Sequence, residues 1–237
     1  EAGGITQQIG ATNVNIETVT KRTSFVKDLN KINIPGLLII DTPGHESFAN
    51  LRSRGSSLCD LAILVVDIMH SLEKQTIESI NLLKKGKTPF IIALNKIDRL
   101  VEWKTDQNTD IQTVLESQSQ RCQQDFNKRW EQVKLDFATQ AALNVELFWK
   151  NETDGISVKE DHFMNVIPTS AHSGDGMGNL MGLCVKMAQE KLTERIAFSE
   201  KVQCTVLEVK SVVGIGATID CILTQGRLRY GDNIVLA

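Results

Sequence analysis

Apolar residues along this chain alternate between short runs and helical stripes, and several of the runs end on a cluster of polar residues. The runs at 37–40 (LLII), 63–66 (ILVV), 89–94 (PFIIAL) and 164–168 (MNVIP) have the length of strands. The uninterrupted, β-branched stretch at 63–66 predicts a strand buried on both faces. Helices are predicted between them at 73–85, at 47–57 as a polar helix, and at 110–143, where Phe126, Trp130, Val133, Phe137 and Ala141 recur at helical spacing. An Asn108-Thr109-Asp110 cap precedes that last segment and Asn144 can end it. Its aromatic stripe is expected to pack onto the domain rather than to form a partner surface. Leu180, Leu183, Cys184, Met187, Ala188 and Leu192 mark a further helix. Alternating strand and helix of this kind predicts an α/β fold around a parallel sheet. After Ser199 the period changes to two, and Val202, 205–209, 217–223 and 233–236 read as short strands broken by Gly214, Gly216, Gly226 and Gly231.

The polar clusters carry the chemistry. Asp41-Thr42-Pro43-Gly44-His45-Glu46 closes the first run, Asn95-Lys96-Ile97-Asp98 closes the 89–94 run, and Thr169-Ser170-Ala171 closes the 164–168 run. A Pro-Gly pair marks tight turns in any fold. Three such clusters at the carboxyl ends of strands, however, define the edge of a parallel sheet where ligands bind. A carboxylate followed by a Pro-Gly turn suits phosphate and Mg²⁺, because backbone N–H groups and an acid converge on one point. Guanine presents two adjacent donors, N1–H and the exocyclic amine, that one ionised carboxylate accepts together, and Asp98 suits that role. Asn95 can bond the other edge of the base or tie loops together, the Lys96 stem can lie over the ring, and the Ala171 N–H can donate to the guanine O6.

With these motifs in this order, the chain resembles the translational GTPases. The opening Ala2-Gly3-Gly4-Ile5-Thr6-Gln7-Gln8-Ile9-Gly10-Ala11, the stretch 44–70 (GHESFANLRSRGSSLCDLAILVVDIMH) and 75–84 (QTIESINLLK) are similar to the initiation factor 2/5B family. That resemblance implies a P-loop NTPase-type GTP-binding domain over 1–198, with a helical insertion at about 102–165, followed over 199–237 by the start of a translation-factor β-barrel. The family's Gly-rich phosphate loop, G-x-x-x-x-G-K-[ST], has no counterpart here. Gly86-Lys87-Thr88 mimics its end, but Asn81 stands where the first Gly belongs and the triplet precedes a strand. The chain is therefore expected to lack the phosphate loop and first strand, to be truncated in its second domain, and to be inactive as an isolated fragment.

By the same resemblance the activity is ribosome-stimulated hydrolysis of GTP to GDP and phosphate, with Mg²⁺ as cofactor. His45 orients the attacking water. Thr6 gives its hydroxyl to Mg²⁺ and its main chain to the γ-phosphate, Asp41 holds Mg²⁺ through water, the Gly44 amide meets the γ-phosphate, and Ile5 forms one wing of an apolar gate over His45. Asn95, Lys96, Asp98, Ser170 and Ala171 make the base pocket. Arg52 and Arg54 are candidates for ribosomal RNA phosphates, against the plainer reading of a solvated face. The implied partners are both ribosomal subunits, initiator tRNA and other initiation factors. The alternatives are another translational GTPase, such as a bacterial or organellar initiation factor 2, and a non-hydrolysing GTP-binding module; the 102–165 segment and the intact Thr6, Asp41 and His45 weigh against them.

Composition changes this picture little. With 237 residues, 41% hydrophobic and 23% charged, the chain has enough apolar residues for one core and part of a second. A net charge of −3 argues against a generally RNA-coating surface, so ribosomal contact is expected to use local basic patches. No apolar run is long enough to span a membrane. Cys59, Cys122, Cys184, Cys204 and Cys221 show no paired metal spacing and fit a reducing cytosol.

Overall fold

The computed structural model describes residues 10–26, 29, 32–41, 59–151 and 162–235. Its centre is a four-stranded parallel sheet of β3 (Ala62–Asp67), β4 (Phe90–Asn95), β5 (Asn144–Leu147) and β6 (Phe163–Pro168), in the order β3-β4-β6-β5. Parallel neighbours need crossovers, and these are supplied by α2 (Lys74–Lys85) between β3 and β4, then by α3 (Ile111–Ser117) and α4 (Gln120–Gln140) on the way to β5. Asp67 lies opposite Asn95 and Leu94 opposite Pro168, so the polar clusters after β4 and β6 emerge at one end of the sheet.

Strand alternation sorts the core into two layers. Leu64, Val66, Phe90, Ile92, Leu94, Met164 and Val166 point to the face covered by α2, α3 and α4, where they meet Ile80, Leu83, Ile111, Phe126, Trp130, Val133 and Phe137. Ile91, Ala93 and Ile167 point to the other face and meet Leu180 and Cys184 of α5 (Met177–Glu190). Burial pushes the Cys184 thiol up to about 12, so it stays protonated as part of this core. The aromatic stripe of α4 packs inward as expected. Phe137 is fully buried while Leu135, on the same helix, is 56% exposed. Phe137→Ala in the full-length protein is expected to cost about 3–5 kcal/mol, and Leu135→Ala less than about 0.5, in urea unfolding followed by tryptophan fluorescence. Equal costs would mean that α4 does not cover the sheet.

Several expectations are corrected. The strand at 62–67 is not buried on both faces: Ile63 is 41% and Val65 59% exposed, because no described element covers that face at this edge of the sheet. The helix expected over 110–143 is two helices. Ser119 breaks it by accepting the Cys122 N–H at 3.2 Å as the N-cap of α4, and Asp110 caps α3 by accepting the Gln112 N–H at 3.0 Å. Asn144 does not end α4; it opens β5. The helix stops at Gln140, Ala142 turns left-handed at φ 47°, and Lys84 from α2 donates to the carbonyls of Ala141 and Ala142 at 2.6 and 3.3 Å. The segment expected as a helical insertion thus also contributes a strand.

The run 37–40 lies in β2 (Gly36–Asp41), which pairs antiparallel with β1 (Gly10–Asn15), and among the described residues no ladder links β2 to β3. Between β1 and β2 runs α1 (Ile16–Thr23), capped by Asn15 accepting the Thr18 N–H at 2.9 Å. The chain at its carboxyl end lies against α5, where Gly178 and Gly182 leave the room that Phe25 and Val26 fill. A short helix, α6 (Thr193–Ile196), follows α5. The last elements are β7 (Gln203–Val212) and β8 (Gly216–Gln225), an antiparallel hairpin turning at Val213, Gly214 and Ile215. The strand expected at 233–236 does not form among its described residues, since Asn233, Ile234 and Val235 belong to no ladder.

Candidate functional site

β4 ends at Asn95, and Lys96 then takes the left-handed conformation at φ 70°, which turns the chain sharply into the 3-10 turn Ile97–Arg99. β6 ends at Pro168, and the loop 169–176 folds back on itself before α5 begins. Gly176 starts that helix at φ 70°, where a Cβ would strike the Pro168 carbonyl. Backbone bonds stitch the two exits together: the Thr169 N–H donates to the Leu94 carbonyl at 2.8 Å, and the Ile97 N–H to the Thr169 carbonyl at 3.3 Å.

Side chains complete the join. Asn95 Oδ1 accepts the Ala171 N–H at 3.0 Å, and Ser170 Oγ donates to Asp98 Oδ1 at 2.6 Å. Ser170 Oγ also accepts the Ser173 N–H at 3.1 Å. Of the two uses open to Asn95, tying loops together is the one the structure displays, and the Ala171 N–H is engaged there rather than directed at a base. Asp98 is half-buried, and its second oxygen, Oδ2, makes no hydrogen bond among the described residues. Fixed on one side and open on the other, this carboxyl group can accept a pair of adjacent donors from a planar ligand.

Lys96 does something its sequence context does not announce. Its Nζ donates to Asp67 Oδ2 at 2.7 Å, across from the end of β3. Asp67 also accepts the Met69 N–H at 2.8 Å and lies 2.9 Å from His70 Nδ1. Burial raises the proton affinity of Asp67, but the bonds from Lys96, His70 and Met69 outweigh it and hold the carboxyl below the usual range. Asp67 with Asn95 and Lys96 lines a cleft of about 290 Å³ at this end of the sheet. A larger cleft of about 400 Å³ lies by the hairpin, where the Arg227 guanidinium sits 5.5 Å over the Phe198 ring; none of the sequence motifs reaches it.

The structure therefore brings together Asn95, Lys96, Asp98, Ser170 and Ala171. Asp41 is exposed at the end of β2, in the separate ladder, where a hard carboxylate oxygen is the donor type that Mg²⁺ takes. Ile5, Thr6, Gly44, His45, Arg52 and Arg54 lie outside the described residues. Two participants were not foreseen. Asp67 could have been found from its place, a carboxylate closing an apolar run just as Asp41 does. Asp175 is fully buried behind the 169–173 segment and its side chain accepts three hydrogen bonds, and a single acid within Ser173-Gly174-Asp175-Gly176 signals only a turn.

The elongation factor Tu GTP binding domain matches residues 1–190. Eukaryotic translation initiation factor 5B of Homo sapiens is 53% identical over the whole chain, and a probable translation initiation factor IF-2 of Thermococcus sibiricus is 42% identical. The chain spans 19% of the length of the first and 39% of the second. Among solved structures, GDP-bound aIF5B from Aeropyrum pernix superposes with a TM-score of 0.81 at 38% identity, covering 95% of this chain and 37% of that one.

Proposed function

Because the chain belongs to the elongation factor Tu GTP binding domain family, we propose that it is the guanine-nucleotide module of a translation initiation factor, one that hydrolyses GTP on the ribosome. Within that family it falls with the initiation factor 2/5B branch. The observation that carries the reading is the Asp98 carboxyl group, held at Oδ1 by Ser170 and open at Oδ2, in a loop joined to its neighbour through Asn95 and Ala171. Adenine lacks the two adjacent donors that this group accepts, so the site selects guanine.

Residues 1–198 make the nucleotide domain, and the β7–β8 hairpin begins a second domain over 199–237. Thr6 and, through water, Asp41 would hold Mg²⁺, which would neutralise charge developing on the phosphates. The Gly44 amide meets the γ-phosphate, His45 orients the water that attacks it, and Ile5 keeps His45 from that water until the ribosome rearranges the loop. Catalysis is mostly positioning and charge stabilisation, so hydrolysis waits on the partner that completes the geometry. Arg52 and Arg54 contribute contacts to ribosomal RNA phosphates. In the GTP state the protein promotes joining of the large subunit to a complex bearing initiator tRNA and other initiation factors, and hydrolysis to GDP and phosphate releases it. These events take place in the cytoplasm, and among the described residues no helix is long and apolar enough to cross a membrane.

The test uses the full-length protein. GDP is expected to displace a fluorescent guanine nucleotide at least a hundredfold better than ADP does, and phosphate release from GTP is expected to rise at least a hundredfold on adding both ribosomal subunits. Equal displacement by ADP would end the guanine reading, and hydrolysis indifferent to ribosomes would end the translational one.

A further inference from the structure

The guanine reading accounts for Asp98 and Ser170 but leaves Asp175 without a task. Asp175 is fully buried, and a buried acid is costly unless its acceptors are filled. Its oxygens are filled from two separate segments. Oδ2 accepts the Trp103 indole N–H at 2.9 Å and the Ser173 hydroxyl at 2.6 Å, and Oδ1 accepts the Asp106 N–H at 2.9 Å. Its backbone carbonyl accepts the Ser170 N–H at 2.9 Å.

These bonds run in two directions. One leads to Ser170, whose backbone N–H is held by the Asp175 carbonyl and whose hydroxyl holds Asp98 Oδ1. The other leads to Trp103 and Asp106, in the strand-less segment after the 3-10 turn that carries Asp98. Trp103 is tied back to that turn through its N–H on the Leu100 carbonyl at 3.3 Å, and Leu100 through its own on the Ile97 carbonyl at 3.0 Å. Asp175 thus fastens the Asp98 segment and the Ser170 segment from behind, closing a loop of bonds in which half-buried Asp98 keeps one carboxyl oxygen unbonded among the described residues. We infer that Asp175 is a specificity-determining positioning residue: by bracing both segments it aims the Asp98 carboxyl group at the two donors that distinguish guanine. The inference rests on the guanine reading of Asp98.

Inosine diphosphate tests it, because hypoxanthine keeps N1–H and lacks the exocyclic amine. The preference for GDP over inosine diphosphate therefore reports how well Asp98 engages both donors. In full-length Asp175→Asn, the amide must set an N–H against at least one of the three donors, and the preference is expected to fall about tenfold. Trp103→Phe removes one donor and keeps a smaller aromatic ring in its place. It is expected to lower the preference about threefold at an unchanged thermal midpoint, and it decides the matter if Asp175→Asn does not fold. A preference equal to wild type in folded Asp175→Asn, or in Trp103→Phe in its place, overturns the positioning role. If wild type itself shows no preference and Asp98→Ala does not weaken GDP, the guanine reading fails instead.

Discussion

Full-length protein carrying Asp98→Asn is expected to lose GTP affinity by at least a hundredfold and to gain affinity for xanthosine triphosphate. The carboxyl group accepts two donors from guanine, and each hydrogen bond to an ionised group contributes about 1.5–3 kcal/mol. An asparagine offers one acceptor and one donor. The donor then faces the guanine amine, which also donates, and the mismatch leaves both unsatisfied. Xanthine carries a C2 carbonyl where guanine carries that amine, so the same amide pairs with it in register. Ser170 Oγ, now bonded to Asp98 Oδ1 at 2.6 Å, can donate to an amide oxygen equally well, so the loop has no reason to move. Competition binding with both triphosphates reads the outcome directly. Unchanged GTP affinity with no gain for the xanthine nucleotide would take Asp98 out of the base pocket.

His45→Ala is expected to act at the other end of the nucleotide, and in the opposite pattern. A residue that orients water affects the transition state and not the bound ground state, so affinity for GTP is expected to stay within about twofold and subunit joining to proceed. Ribosome-stimulated phosphate release is expected to fall by about two to four powers of ten, the usual worth of a placed acid–base group. The protein should then accumulate on assembled ribosomes. Phosphate release and nucleotide affinity measured on one preparation separate the possibilities: undiminished release removes His45 from catalysis, and a parallel collapse of affinity makes it a binding residue.

The parts of the fold that were legible in the sequence are those whose signal is local. β4 is an apolar run and β6 a run broken only by Asn165, both leading into polar clusters, and α2 and α5 carry apolar residues at helical spacing, so each announces itself and its exit. What the sequence hid depends on partners far along the chain. The end of α4 rests on Lys84, some fifty-seven residues away from Ala141, and no pattern near Asn144 records that contact. Exposure of Ile63 and Val65 reflects what covers the sheet edge, which β-branched composition does not report. The candidate site at the exits of β4 and β6 was readable residue by residue because each of its members stands in a polar cluster that closes an apolar run. Its bracing was not, since Trp103 and Asp175 make a single hydrogen bond across seventy-two positions.

The two glycines of α5 have a mechanical meaning. At Gly178 a side chain would run into Phe25 and the Arg22 carbonyl, and at Gly182 into Val26, so the end of α1 and the chain after it lie almost on the helix backbone. The N-cap of α5 is Gly176, the residue after Asp175. A partner that levers α1 away from α5 therefore pulls on the same short backbone that holds the 169–176 loop. Thermodynamic reciprocity then applies: to the extent that such a partner loosens the nucleotide, the nucleotide loosens the partner by the same factor.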